Sequence, residues 1–302
     1  MSPPIVHHPA FRAEMPAGHR FPMDKFSRLA AVLEAEGFPG PGGFHRPELI
    51  DVETLRLVHT EDYVRGVLEQ SLPADVVRRI GMPNSESVAI RARAATGGTL
   101  LTARLALEHG IACNTAGGSH HASAESGAGF CVFNDVAVAA RRLLVEGAIG
   151  KALVVDLDVH QGDGTAKIFE GDASVFTFSM HAEKNFPARK AASDLDIDLA
   201  DGTGDEAYLA TLAEILPALI DRVGPDLVFF NAGVDPHADD KLGRLSLTND
   251  GIGRREAYVL GLCLARDIPV AGVIGGGYDP DMDRLADRHA ILHRTAAGLL
   301  HA

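Results

Sequence analysis

At 302 residues, 46% hydrophobic and 23% charged, the chain has the composition of an ordinary soluble globular protein with material for a large core. A net charge of −13 and a pI near 5.5 argue against a nucleic-acid surface, which needs clustered Lys and Arg; steering by such a surface would mildly favour cationic small molecules or Lys-rich peptides. Cys113, Cys131 and Cys263 sit in apolar segments and predict buried free thiols in a reducing, cytoplasmic compartment; no run has the apolar length of a membrane span, and the N-terminus carries no apolar leader.

Residues 1–22, rich in Pro and His, predict a surface segment wrapping the domain, in which His7, His8 and His19 lack the carboxylate or Cys neighbours of a metal site. An amphipathic helix over 24–37 ends at Gly37, and the Pro/Gly cluster 39–43 marks a loop. A short helix over 61–70 and a long one over 85–110 follow; Gly97 and Gly98 inside the long one predict close packing against a neighbour. After Gly110 the pattern alternates, with strands over 111–116, 151–160, 174–181, 225–235 and 269–278 and helices over 134–147, just after Gly164, 205–224 and 250–267. Near-continuous apolar strands separated by helices mean a mostly parallel sheet covered on both faces. With no linker or composition break, the expectation is a single three-layer α/β/α domain over 1–302.

The chemistry gathers around VVDLDVHQGDG, residues 154–164. Alternate side chains of a strand share a face, so Asp156, Asp158 and His160 fall on one side. Left unpaired in a buried strand these groups cost several kcal/mol each, and a divalent cation is the simplest compensation. The strands ending in Asp235 and Tyr278 bring those residues to the same carboxyl-end side, where open α/β sheets place their sites. One His and two carboxylates leave a position open for water, the catalytic pattern for zinc, and the mixed set suits ferrous iron as well. His120 and His121, flanked by glycines, supply a base and an acid for a metal hydrolase, with Asp156 and Asp163 to fix their tautomers. Tyr278 in GGGY reads either as a packing residue or as a phenol donating to a developing oxyanion; Phe130 and Phe186 read either as core or as the walls of a narrow apolar channel.

GGSHHASAESGAGFCVFNDVAVAA, DLDVHQGDG, NAGVDPHADDKLG and GGGYDPD together resemble the zinc-dependent histone deacetylase family of the arginase/deacetylase fold. GHRFPMDKFSRL and RIGMPNSE further resemble its bacterial members close to class IV. The resemblance implies Asp158, His160 and Asp235 as metal ligands, His120 and His121 as the catalytic pair backed by Asp156 and Asp163, and Tyr278 as the group polarising the acyl carbonyl. It implies Gly129, Phe130, Phe186, Leu242 and Gly276 as substrate-binding, and a structural potassium ion on Asp156, the carbonyls of Asp158 and His160, Ser179 and Met180. Gln161 stands where many members have a second His, and Gly81 and Met82 lie near the place where class I members carry an acidic rim residue.

The expected activity is removal of an acetyl or other short acyl group from acyl-lysine in proteins or peptides, as a zinc-dependent deacetylase. A small acylated amine such as an acetylpolyamine is the runner-up, on the strength of the acidic net charge and the missing rim acid. A two-metal ureohydrolase would need another carboxylate at Gln161 or Gly162, and a silent acyl-binding protein would have no need of the whole catalytic set.

Overall fold

Short, fully buried apolar runs build the centre of the molecule, which the computed structural model describes over residues 3–301. The first half contains β1 (Ile5–Val6), α1 (Lys25–Ala35), α2 (Val52–Leu55), α3 (Glu61–Leu68), α4 (Ala74–Ile80), α5 (Glu86–His109), β2 (Ile111–Asn114) and α6 (Asp135–Val145). There follow β3 (Ala152–Asp156), α7 (Asp163–Ile168), β4 (Val175–Ala182), β5 (Leu195–Leu199), α8 (Asp205–Val223), β6 (Leu227–Asn231), α9 (Asn249–Leu264), β7 (Val270–Val273) and α10 (Met282–His301). The seven strands form one sheet in the order β1-β2-β7-β6-β3-β4-β5, and every pairing is parallel. Helices flank it on both faces. Asn114 of β2 reaches Gly98 of α5, while its neighbour Cys113 lies beside Gly272 of β7 and Leu292 of α10, so α5 and α10 cover opposite sides.

Several sequence expectations change. The N-terminal segment is not simply a surface wrap: Ile5 and Val6 are fully buried and pair in register with Cys113 and Asn114. Residues 195–199, expected in a loop, form the edge strand β5; LDIDL is half exposed, and its acidic residues mask the strand pattern. The C-terminal helix α10 and the short helices α2 and α4 were not foreseen. The strand expected over 151–160 stops at Asp156, because Asp156 accepts the backbone N–H of Asp158 (3.2 Å) and Asp158 that of His160 (3.0 Å), turning the chain out of the ladder. Asp235 and Tyr278 likewise lie a few residues beyond the ends of β6 and β7. Gly97 and Gly98 confirm their packing role: an added Cβ would strike the Glu48 carbonyl and the Phe11 ring respectively. The three cysteines are buried and free. Among the described residues, no helix is long and apolar enough to cross a membrane.

One buried ion pair ties the helical layer to the site. Arg255 of α9, fully buried, bonds Glu256 beside it (2.6 Å) and donates to the Leu157 carbonyl (3.1 Å) in the turn after β3. Arg255→Met is expected to strand the Glu256 carboxylate in the core and lower stability by about 3–5 kcal/mol. Urea denaturation measures this, and an unchanged midpoint would show that the pair is dispensable.

Candidate active site

The strands adjacent in space as β2-β7-β6-β3 carry the site at their carboxyl ends. The loop after β2 carries His120 and His121, the loop after β7 Gly276 and Tyr278, the loop after β6 Asp235, and the turn after β3 Asp158 and His160. These loops meet as bare backbone. Gly118 and Gly275 adopt positive φ (85° and 56°), and a Cβ on either would collide with the Asn231 side chain.

Among the described residues, Asp158, His160 and Asp235 form the one group of ligating side chains whose donor atoms lie within 4.8 Å of one another, and all three are buried. His160 Nδ1 is 3.0 Å from Asp158 Oδ1 and 3.2 Å from Asp235 Oδ2. Backbone N–H groups fix both acids: Gly276 donates to Asp158 (2.7 Å) and Val159 to Asp235 (2.9 Å). A Cβ at Gly276 would run into both carboxylates, so the glycine keeps open the space in which they converge. The charges conflict. Burial, then the Asp158 charge, raises the Asp235 pKa, whereas Asp158, despite burial, is held well below the usual range by His120 and His160. An oxygen, nitrogen, oxygen donor set with that conflict fits a divalent metal of the zinc or ferrous type.

Metal uptake at this group would carry a proton cost. Burial lowers the His160 pKa, but its bonds to Asp158 and Asp235 outweigh this and raise it to about 10. At pH 8 the metal-free imidazole is therefore protonated and must release that proton to bind, so affinity should rise with pH towards that value. Titration calorimetry in buffers of different ionisation enthalpy should show about one proton released per ion; no buffer dependence would contradict this.

The two histidines are pushed in opposite directions. His120 Nδ1 is 2.6 Å from Asp156 Oδ2, and although burial opposes it, Asp156 and Asp158 raise its pKa to about 9. His121 Nδ1 is 2.8 Å from Asp163 Oδ1; burial, then the His120 charge, lowers its pKa to about 3. Their rings stand 4.1 Å apart. Tyr278, half-buried, faces the His160 ring at 6.3 Å, and burial followed by the Asp235 and Asp158 charges pushes its pKa well up, keeping the phenol a hydrogen-bond donor.

Above the histidines opens a cleft of about 330 Å³ to which Gly129, Phe130, Phe186, Leu242 and Tyr278 contribute. Phe186 is 44% exposed and sets its ring edge-on to His121 at 4.8 Å, so it is a wall rather than core. Phe130 holds positive φ (67°) and its ring lies 5.9 Å from Tyr278. Gly129 lies against the His121 ring with no room for a Cβ. Gly81 abuts Phe130, but Met82 is buried away from the mouth, among residues such as Val67 and Val88. Asp156 and Ser179 are register partners and Met180 is next along β4, but the Ser179 hydroxyl is engaged with His181 (2.9 Å), so potassium rests on the resemblance alone.

The sequence reading missed the residues that hold these groups. Lys167 grips Asp163 (2.6 Å), Asn231 donates to Asp156 (2.9 Å), and Asp135 receives the backbone N–H of Gly118 (3.0 Å) and Ser119 (2.6 Å). Asp240 accepts from the N–H groups of Tyr278 (2.6 Å) and Leu242 (2.8 Å), and buried Lys25 donates to the Gly275 carbonyl (3.1 Å). Lys167 had a local signal in its i,i+4 spacing from Asp163 on a helix, and Asp240 one in the turn it closes onto the Leu242 and Gly243 N–H groups. Gln161 is bonded to Ala191 and Asp196 at 2.9 Å.

Compared with known proteins, the chain matches the histone deacetylase domain over residues 19–292. It is 52% identical over 293 residues to an uncharacterized protein of Picosynechococcus sp., covering 97% of this chain and 98% of that one. Histone deacetylase 2 of Arabidopsis thaliana is 31% identical over 269 residues, 86% of this chain and 70% of the relative. The crystal structure of the HDA15 HD domain is similar with a TM-score of 0.83 at 25% identity, covering 99% of this chain and 89% of that one. With a domain match that takes in all four strand-end loops and the Asp-His-Asp group they converge on, the chain belongs to the histone deacetylase domain family.

Proposed function

We propose that residues 1–302 form a single catalytic domain that removes an acetyl or other short acyl group from the lysine ε-amine of proteins or peptides, with zinc or ferrous iron on Asp158, His160 and Asp235. The observation that carries this reading is the pair His120 and His121, rings 4.1 Å apart beside that ligand group, each with Nδ1 held by its own carboxylate, Asp156 at 2.6 Å and Asp163 at 2.8 Å, and with surroundings that push their pKa values in opposite directions. Two like groups with opposed protonation states are the mark of assigned acid and base roles. A divalent ion bound there would polarise the acyl carbonyl and make water acidic enough to attack near neutral pH.

The chain's own residues supply the rest. The Tyr278 hydroxyl donates to the acyl oxygen as negative charge builds on it. Asp163, itself gripped by Lys167, keeps the His121 proton on Nδ1, which leaves Nε2 free to take the proton of the attacking water. The same nitrogen then returns that proton to the departing amine as the C–N bond breaks. His120 stays protonated against Asp156 and contributes a fixed positive charge beside the reaction. Phe130 and Phe186 flank the lysine stem and exclude water from it. Beyond the histidines the remaining space is small, about 30 Å³, and is closed in by Phe21, Phe26, Gly276 and Tyr278, which supports a short acyl group.

An acetylpolyamine is the less favoured substrate, because the mouth of the cleft carries Arg20, Lys184 and Arg244. The test is hydrolysis of an acetyl-lysine peptide and of N-acetylated polyamines by metal-loaded protein. Higher kcat/KM on the peptide is expected; a preference for the polyamines would replace this substrate assignment, and no turnover of either would favour a binding role.

A further inference from the structure

The mouth of the cleft reverses the charge of the chain. The cleft above the histidines is lined by Arg20, Lys184 and Arg244 and by no carboxylate. An adjoining cleft of about 450 Å³ shares Arg20 and adds His19 and Lys241. Its one carboxylate, Asp279, is buried and already bonded to Arg284 by both oxygens (2.7 Å each), with Arg288 at 3.6 Å. Two of these cations share one carboxylate, Asp201, which lies 3.2 Å from Arg244 and 3.8 Å from Lys184, so one negative charge stands against two positive ones. Arg20 and Lys241 are exposed and take part in no ion pair among the described residues. These cations come from three separate segments, the N-terminal stretch, the loop after β4 and the loop after β6, and they gather about two adjoining clefts that share Arg20, in a chain of net charge −13.

With the two ligand carboxylates below offset by a divalent ion, the rim sets the sign of the field that an arriving substrate meets. From this we infer that Arg20, Lys184, Lys241 and Arg244 select acyl-lysine in acidic surroundings: a peptide with Asp or Glu within a few residues of the modified lysine, and not a polycationic acylated amine. The selection rests on the hydrolase reading above and specifies its substrate class. Reach favours it, since neighbouring residues of an extended peptide stand about 3.3–3.6 Å apart per position and so pass within a Debye length of the rim.

The experiment uses acetyl-lysine peptides of one length flanked by Glu, Ser or Lys, and two measurements on the metal-loaded protein: kcat/KM, and Kd by anisotropy of the labelled peptides. The Glu-flanked peptide is expected to lead the Lys-flanked one by about tenfold in both at about 50 mM NaCl, and by less than about twofold at 0.5 M. The double variant Arg20→Glu, Arg244→Glu, at two exposed positions, should reverse that order. Equal values for Glu and Lys flanks, or an order unmoved by the double variant, would overturn the inference. Charge-ordered binding without turnover of any peptide would uphold the rim assignment and overturn the hydrolase reading; turnover without charge order would do the opposite.

Discussion

Asp235→Ala should strip the protein of its metal, lowering bound ion from about one per chain to less than about a tenth, and should cut deacetylation by at least about 10³-fold. Asp235 is the third member of the buried ligand group, and its Oδ2 sits 3.2 Å from His160 Nδ1. The fold itself should survive. Burial and the neighbouring Asp158 already disfavour the ionised Asp235 side chain, so in the metal-free protein its removal relieves a repulsion while giving up its bonds to the Val159 N–H and to His160 Nδ1. Metal analysis beside a melting curve separates the two effects. An Asp235→Ala protein that keeps both its ion and its activity would remove this residue from the ligand set.

Tyr278→Phe should lower kcat by about 10²–10³-fold, the usual cost of deleting one oxyanion donor, with KM changed by less than about threefold. The phenylalanine retains the ring contacts with Phe130 at 5.9 Å, Phe21 at 6.4 Å and His160 at 6.3 Å, so the substitution isolates the hydroxyl. Because burial and then the carboxylates below push the Tyr278 pKa well up, the wild-type phenol remains a donor throughout the neutral range. A change confined to KM would assign Tyr278 to substrate binding alone. An unaltered kcat would take it out of the chemistry.

How far the sequence foretold this arrangement differs between the parts of the site. Asp158, His160, Asp235, His120, His121 and Tyr278 were legible because polar residues directly after buried apolar runs have few structural uses. For Asp158 and His160 the expected route was wrong: strand alternation over 151–160 was to bring them together, but β3 ends at Asp156 and they converge through a turn closed by side-chain acceptors. β1 is two residues long and β5 is half exposed and acidic, so neither presents the apolar run that marks the interior strands. Lys25, Asp135, Asn231, Asp240 and Arg255 escaped notice for a different reason. Each is an ordinary polar residue that reaches the site through a partner far away in the chain, as when Lys25 meets Gly275, Asp240 meets Tyr278 or Arg255 meets Leu157. The net charge of −13 describes the whole surface, and the grouping of Arg20, Lys184 and Arg244 about one cleft is visible only in the fold.

Whether one metal ion per chain drives hydrolysis is tested most directly by titrating chelator-stripped protein with Zn²⁺ or, anaerobically, Fe²⁺ while following acetate release from an acetyl-lysine peptide. Activity should be absent at the start, rise linearly, and break at about one equivalent, as expected for a mononuclear three-ligand site. Hydrolysis that persists after chelation, or a break at about two equivalents, would contradict a single ion on Asp158, His160 and Asp235.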